Sequence, residues 1–200
     1  MKQQIVADLE SSLELHKALL SDSALHAQLA ELAGWCLDAL RKGGKILLAG
    51  NGGSFADAQH LAAEFVSRLQ FDRAPLLAIA LATNGSSMSA VGNDYGYEQV
   101  FARELRALAG THDVFLPIST SGNSPNILAA VETAKELNVR TMGFTGQTGG
   151  SLAGACPCLR VPSGRTERIQ EGHILLGHTL CGLVESAYFK GTQRPAGASA

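Results

Sequence analysis

The residues Ile46-Leu47-Leu48-Ala49-Gly50-Asn51-Gly52-Gly53-Ser54 decide the fold. An apolar run of strand length passes straight into a glycine-rich turn, and the turn into an alanine-rich segment carrying Asp57, Gln59, His60 and Glu64. A run that is apolar on both faces reads as a buried parallel strand, followed here by a loop and a helix N-terminus. Free backbone amides converge at such a terminus and favour an anion. His60 and Glu64 stand four apart, so they project from one face of the helix beyond the loop. A phosphate cradle followed by an imidazole and a carboxylate points to chemistry on a phosphorylated substrate.

Outward from this stretch, strands and helices alternate. Strands are expected near 45–49, 76–80, 113–118, 140–144 and 158–161, and helices near 54–69, 98–108, 124–137 and 168–189. The pattern predicts an α/β fold: a three-layer, doubly wound sandwich around a five-stranded parallel sheet, with ligands at the carboxyl ends of the strands. Upstream lie about forty residues of helical pattern, with Leu9, Leu13 and Leu20, then Leu25, Leu29, Leu32, Cys36, Leu37 and Leu40. Ser21-Asp22-Ser23 ends one helix and caps the next. These two helices precede the first strand and so are not crossovers; their leucine stripe either packs against another subunit or covers one face of the sheet. No internal repeat or linker interrupts residues 1–200, which are expected to form one domain. The Gly, Pro and Ser rich tail, 191–200, is expected to fray.

Composition sets the bounds. A net charge of -2 and a hydrophobic content of 46% describe an ordinary α/β protein without the basic footprint of a nucleic-acid partner. No apolar run approaches the ~18 residues that span a bilayer, and the polar start, 1–10, is no export signal. The chain is therefore expected to be cytoplasmic, with Cys36, Cys156, Cys158 and Cys181 as free thiols. Cys156-Pro157-Cys158 has no second pair to complete a tetrahedral metal site and reads as buried small hydrophobes.

A second loop repeats the logic of the first. Behind the strand ending in Ile118 come Ser119-Thr120-Ser121-Gly122-Asn123-Ser124-Pro125, hydroxyls and a glycine followed by proline where a helix's first turn accepts it. Hydroxyls and free amides hold a phosphate without Lys or Arg. Taken singly the loop is a capped turn; two equivalent loops favour binding. Gly50-Asn51-Gly52-Gly53 is not G-x-G-x-x-G, no Gly-Lys-Ser or Gly-Lys-Thr follows, and no acid ends the second strand, so a small sugar phosphate suits the site better than a nucleotide. The last helix opens with Arg168-Ile169-Gln170-Glu171-Gly172-His173 and carries His178 among apolar neighbours, where a core histidine is the default reading; His173 and Glu171 read as solvated. Gly92-Asn93-Asp94-Tyr95-Gly96 reads as a turn.

The glycine loop with His60 and Glu64, Gly92 to Gly96, Ser119 to Ser124, and Arg168 to Glu171 with His173 and His178 together resemble the phosphoheptose isomerases of the sugar isomerase (SIS) domain proteins. The similarity runs from the first helices to about Phe189, with the motifs in the same order and at similar spacing. It implies interconversion of sedoheptulose 7-phosphate and D-glycero-D-manno-heptose 7-phosphate, the first step toward the ADP- or GDP-heptose of bacterial lipopolysaccharide and capsule. It also implies that Asn51, Gly52, Gly53, Ser119, Thr120, Ser121 and Ser124 hold the substrate, mostly by its phosphate, that Asn93 and Asp94 contact the sugar chain, and that Glu64 and Gln170 also touch substrate. By the same resemblance Glu64 and His178 form the acid/base pair. It further implies that His60, Glu64, Gln170 and His178 surround a zinc ion, and that the protein is a homotetramer with active sites between subunits.

Two features of the residues bear on those implications. Gln170 and His178 on one straight helix would stand about 12 Å apart, so they share an ion only if Gln170 precedes the helix or one of them comes from a neighbouring chain. Glu171, seven residues before His178, is the reserve ligand. The chain departs from the family at Asn84, where an acid is common, and at Phe55, where a small residue is usual. A second reading is a sugar-phosphate-sensing regulator of the same fold, resembling a relative that associates with a replication initiator but lacks the carboxylate and imidazole supplied here by Glu64 and His178.

Overall fold

The structure, a computed structural model, describes residues 1–190; the tail expected to fray lies outside the described residues. Strand β1 (Ile46–Gly50) is buried throughout, as a central parallel strand must be. Its side chains alternate, Ile46 and Leu48 entering the core on one side of the sheet and Leu47 and Ala49 the core on the other. Strands β2 (Ala78–Ala80), β3 (Val114–Ile118), β4 (Arg140–Thr141), β5 (Gly143–Gly146) and β6 (Cys158–Val161) complete a parallel sheet in the order β2-β1-β3-β5-β6, with β4 also paired to β3. The five expected strand positions are present. The fourth is split at Met142, whose N–H goes to Phe115 O.

On one face lie α1 (Lys2–Ser21), α2 (Ser23–Arg41), α3 (Gly53–Val66) and α8 (Thr166–Tyr188); on the other lie α5 (Val100–Leu108), α6 (Pro125–Glu136) and the short α7 (Leu152–Ala155). The break between the first two helices falls where expected, with Asp22 accepting a hydrogen bond from Leu25 N at 2.9 Å. The open question of the leucine stripe divides between them. Helix α2 covers the sheet, with Leu25, Leu29 and Leu32 buried, whereas α1 buries only Leu15 and Leu19 and exposes Ile5, Val6, Leu9, Leu13 and Leu20.

Helix α4 (Gly85–Tyr95) runs through the segment read as a turn, correcting the expectation for Gly92 to Gly96. It has no buried residue, so no apolar stripe announced it. Asn84, the departure from the family pattern, is its N-cap and accepts from Ser86 N and Ser87 N at 3.1 and 3.2 Å. Among the described residues, no helix is long and apolar enough to cross a membrane. The four cysteines are free, three of them buried and Cys156 half-buried.

The topology then fixes where a ligand goes. From β1 the chain moves to the edge strand β2, and from β3 it moves the opposite way, so the order reverses between β1 and β3. Because Gly50 pairs with Ile118, the two loops singled out above leave adjacent strands side by side at the switch point. Gly122 in the second loop is at φ +68°, and a Cβ there would lie 2.0 Å from Gly149 O. Gly122→Ala is therefore expected to cost about 2 to 3 kcal/mol through strain and backbone displacement. Urea unfolding measures it, and a loss below about 0.5 kcal/mol, the ordinary surface value, would contradict the tight approach of this loop to Gly149.

Candidate active site

Helix N-termini with unused amides build the cradle. Gly52 sits at φ +55° as the N-cap of α3, which leaves the amides of Gly53 and Ser54 pointing off the helix end. The α6 loop presents Ser119 and Ser124, whose hydroxyl oxygens are 3.0 Å apart, and Pro125 starts the helix. Asn126, which sequence reasoning passed over, joins the two loops. Its side-chain amide pairs reciprocally with Asn51 at 2.8 and 2.9 Å, and the Tyr97 hydroxyl donates to Asn51 Oδ1 at 3.4 Å. Asn51 thus spends most of its side-chain capacity on holding the loops together. Beside it, Asn51, Tyr97, Glu98, Ser124, Pro125 and Asn126 line a cavity of about 350 Å³.

A seam leads away from the cradle. Gly53, Asp57, His60 and Glu64 follow one another at four, three and four residues, a single stripe along α3. Helix α8 runs beside it in the same direction. Gln170 packs on Gly53, where a Cβ would meet its Nε2 at 2.4 Å; Leu61 packs on Gly177; and His60 faces His178. At that last level His60 Nε2 and His178 Nε2 are 2.8 Å apart, and Glu64 Oε1 is 3.3 Å from His60 Nε2. One donor atom from each of the three residues lies within 4.8 Å of the others. Glu64 is largely covered, with 18% side-chain exposure, while His60 is open at 48%.

Two imidazole nitrogens and a carboxylate oxygen converging in this way suit a zinc ion, whose tetrahedral shell keeps a fourth position. One turn before His60, half-buried Asp57 carries a carboxyl oxygen that is buried without a hydrogen-bond partner, and burial raises its pKa against the opposing pull of His60 and His178. The signal for Asp57 was its place on the stripe.

Other candidates go elsewhere. Gln170 lies inside α8, eight residues before His178, so the alternative in which it precedes the helix is closed and it does not join the three donors within one chain. It borders the cradle instead. Glu171, the reserve ligand, faces α1: it accepts from the Ser12 hydroxyl and pairs with Arg168 at 2.7 Å. The two late histidines exchange their expected roles. His178 is half-exposed in the seam, while His173 is 1% exposed, edge-on to Phe144, with Nε2 3.2 Å from Thr145 O. Asn93 and Asp94 occupy the last turn of α4 and bond to one another at 2.8 Å. Phe55 is partly buried against the α5 and α6 side of the sheet.

A family model described as the SIS domain matches residues 11–146. A phosphoheptose isomerase of Aneurinibacillus thermoaerophilus is 49% identical over 191 residues, covering 95% of this chain and 96% of that protein. One from Burkholderia pseudomallei is 53% identical over 173 residues, 86% of this chain and 88% of the relative. Among solved structures, a phosphoheptose isomerase from Neisseria gonorrhoeae superimposes with a TM-score of 0.86 at 40% identity, covering 92% of this chain and 98% of that one.

Proposed function

The chain belongs to the SIS domain family, and from that premise we propose that it is an aldose–ketose isomerase acting on sedoheptulose 7-phosphate to give D-glycero-D-manno-heptose 7-phosphate. The observation that carries this reading is the meeting of His60, Glu64 and His178 at one level of the α3–α8 seam, on the stripe that begins at the cradle. From Gly53 to His60 the helix advances about 10 Å. An extended seven-carbon chain with its phosphate spans a similar length, at roughly 1.2 Å per bond. A phosphate held at the cradle thus brings the carbonyl end to the three side chains.

Each residue then has a task. Gly52 and Gly53, at the amide-bearing end of α3, with the hydroxyls of Ser119, Thr120, Ser121 and Ser124 hold the phosphate, and Gln170 borders it. Glu64 takes the proton from C1 of the ketose and returns one to C2. His178 supplies a proton to O2 and accepts one from O1, so that the intermediate is an enediol and no net proton is consumed. Glu64 directs one oxygen at His60, which leaves the other for carbon. His60, Glu64 and His178 would hold zinc, which when bound polarises the carbonyl and steadies negative charge on oxygen. Gln170 completes that shell only from a second copy, and Asn93 and Asp94 on the uncovered α4 reach a sugar chain in the same manner. This agrees with a homotetramer whose sites form between subunits, as do the exposed apolar residues of α1. A regulator that only senses the sugar phosphate is not favoured, since it has no use for this acid/base pair.

The test is turnover of sedoheptulose 7-phosphate followed by aldose formation, before and after chelation. The expected result is aldose formation that falls about tenfold or more on metal removal and returns with zinc. Full activity in metal-free protein would remove zinc from the mechanism. Binding without turnover, with zinc present, would overturn the isomerase reading in favour of the regulator.

A further inference from the structure

Glu64 occupies the last turn of α3, where the final carbonyls of a helix lack intrahelical partners and the chain frays. A base that must meet a carbon-bound proton within a few tenths of an ångström is poorly served by a fraying turn. The partner helix is no help by itself, because α3 and α8 are far apart in sequence and only tertiary contacts hold the seam between them. At the cradle end that packing is Gln170 on Gly53. Beyond the three donors, at the other end, it is a buried ion pair.

Arg73 and Glu185 have side chains 2% and 1% exposed, with Arg73 Nε 2.9 Å from Glu185 Oε1. Arg73 turns most of the rest of its guanidinium to the end of α3: Nη2 donates to Glu64 O at 2.8 Å, and Nη1 to Phe65 O at 2.6 Å and Ser67 O at 3.0 Å, with a further bond from Nη1 to Ala74 O at 3.1 Å. Glu185 lies seven residues after His178, two turns further along the same stripe of α8. Its oxygens also accept from Leu69 N at 3.0 Å and Gln70 N at 2.8 Å, tying down the segment that leaves α3. One buried pair therefore binds the backbone carbonyl of Glu64 to the helix that carries His178. A guanidinium at a helix C-terminus also matches the local dipole.

We infer that Arg73 and Glu185 are positioning residues for the isomerase site, setting the separation of Glu64 from His178 and hence both metal affinity and proton transfer, while leaving the phosphate cradle untouched. The inference rests on the isomerase reading, but its metal-affinity arm does not. Single removals leave a buried charge unpaired and risk misfolding. The informative variant is the double replacement Arg73→Met/Glu185→Leu, because a well-packed apolar pair commonly preserves the stability of a buried ion pair. It is joined by Arg73→Lys, which keeps the charge but loses the planar fork.

The measurements on each variant are thermal unfolding, zinc affinity by competition with a chromophoric chelator, and kcat and KM for sedoheptulose 7-phosphate. Zinc affinity and kcat are expected to fall about 10- to 100-fold in the double variant, with KM within about twofold and a cooperative unfolding transition retained. Arg73→Lys is expected to show the same split at smaller size. If a folded double variant keeps zinc affinity and kcat within about twofold of the parent, or if KM rises as much as kcat falls, the pair is a structural tie and the inference fails. Should the double variant not fold, Arg73→Lys decides, and unchanged zinc affinity and kcat in that variant overturn the proposal. Absence of turnover in the parent protein itself would instead strike the isomerase reading, and the zinc arm would still decide the role of the clasp.

Discussion

Glu64→Gln is expected to lower kcat for sedoheptulose 7-phosphate by about 10³-fold, the scale of losing a positioned general base, with KM changed only a few-fold. Gln preserves the shape and the helix propensity of Glu but cannot take a proton from carbon. The proposed phosphate cradle lies at the far end of the stripe, about 16 Å along the axis from Gly53 to residue 64, so binding of the anionic end is expected to be insulated from the change. A second consequence has to be separated: the variant also removes the anionic member of the three candidate metal donors. Assays at saturating zinc therefore isolate the proton-transfer loss, and the fall in kcat should persist there. Turnover within about tenfold of the parent under those conditions would remove Glu64 as the base and leave it a metal ligand only.

The part of this site that could be read from sequence is the part written in local periodicity. His60 and Glu64 share a helix face by spacing alone, and the two loops fall at strand ends because apolar runs mark the strands. The alternation of strands and helices implied a doubly wound parallel sheet, but the place where the strand order reverses, which sets those loops side by side, had to come from the structure. What could not be read depends on which stripe of α8 meets which neighbour. His173 and His178 are five residues apart, about 140° around a helix, and both sit among apolar residues. Gly177 lets Leu61 approach closely and turns the His178 side toward α3, whereas Gly172 packs on Val161 and turns the His173 side toward the sheet. The glycines carried that information, but their partners are distant in sequence. Asn126 escaped for a similar reason, since an Asn in a first helical turn is ordinary until its reciprocal partner Asn51 is known. The Arg73–Glu185 pair was equally silent: an Arg in a polar loop and a Glu late in a helix both read as solvated.

The burial of His173 sets how the fold should respond to acid. Its imidazole is 1% exposed, and desolvation lowers its pKa from the usual 6.5 to about 4 against the weaker support of Thr145 O. The folded protein therefore holds His173 neutral in a range where the unfolded chain takes up a proton. Above pH 6.5 both states leave it neutral and the residue adds no pH dependence. Between pH 6.5 and about 4 the unfolded state binds more protons, so stability falls as pH falls; below about 4 both states are charged and the loss is complete. A difference of about 2.5 pKa units corresponds to roughly 3 kcal/mol. Carboxylates titrate in the same range, so the comparison that isolates His173 is with His173→Leu, urea unfolding of both proteins being followed from pH 7 to pH 4. The variant is expected to be the less stable at pH 7, where it loses the Thr145 contact and packs imperfectly against Phe144. That deficit should shrink by about 3 kcal/mol on acidification. Parallel stability curves for the two proteins would show that His173 is charged in the fold, contrary to its burial against the sheet.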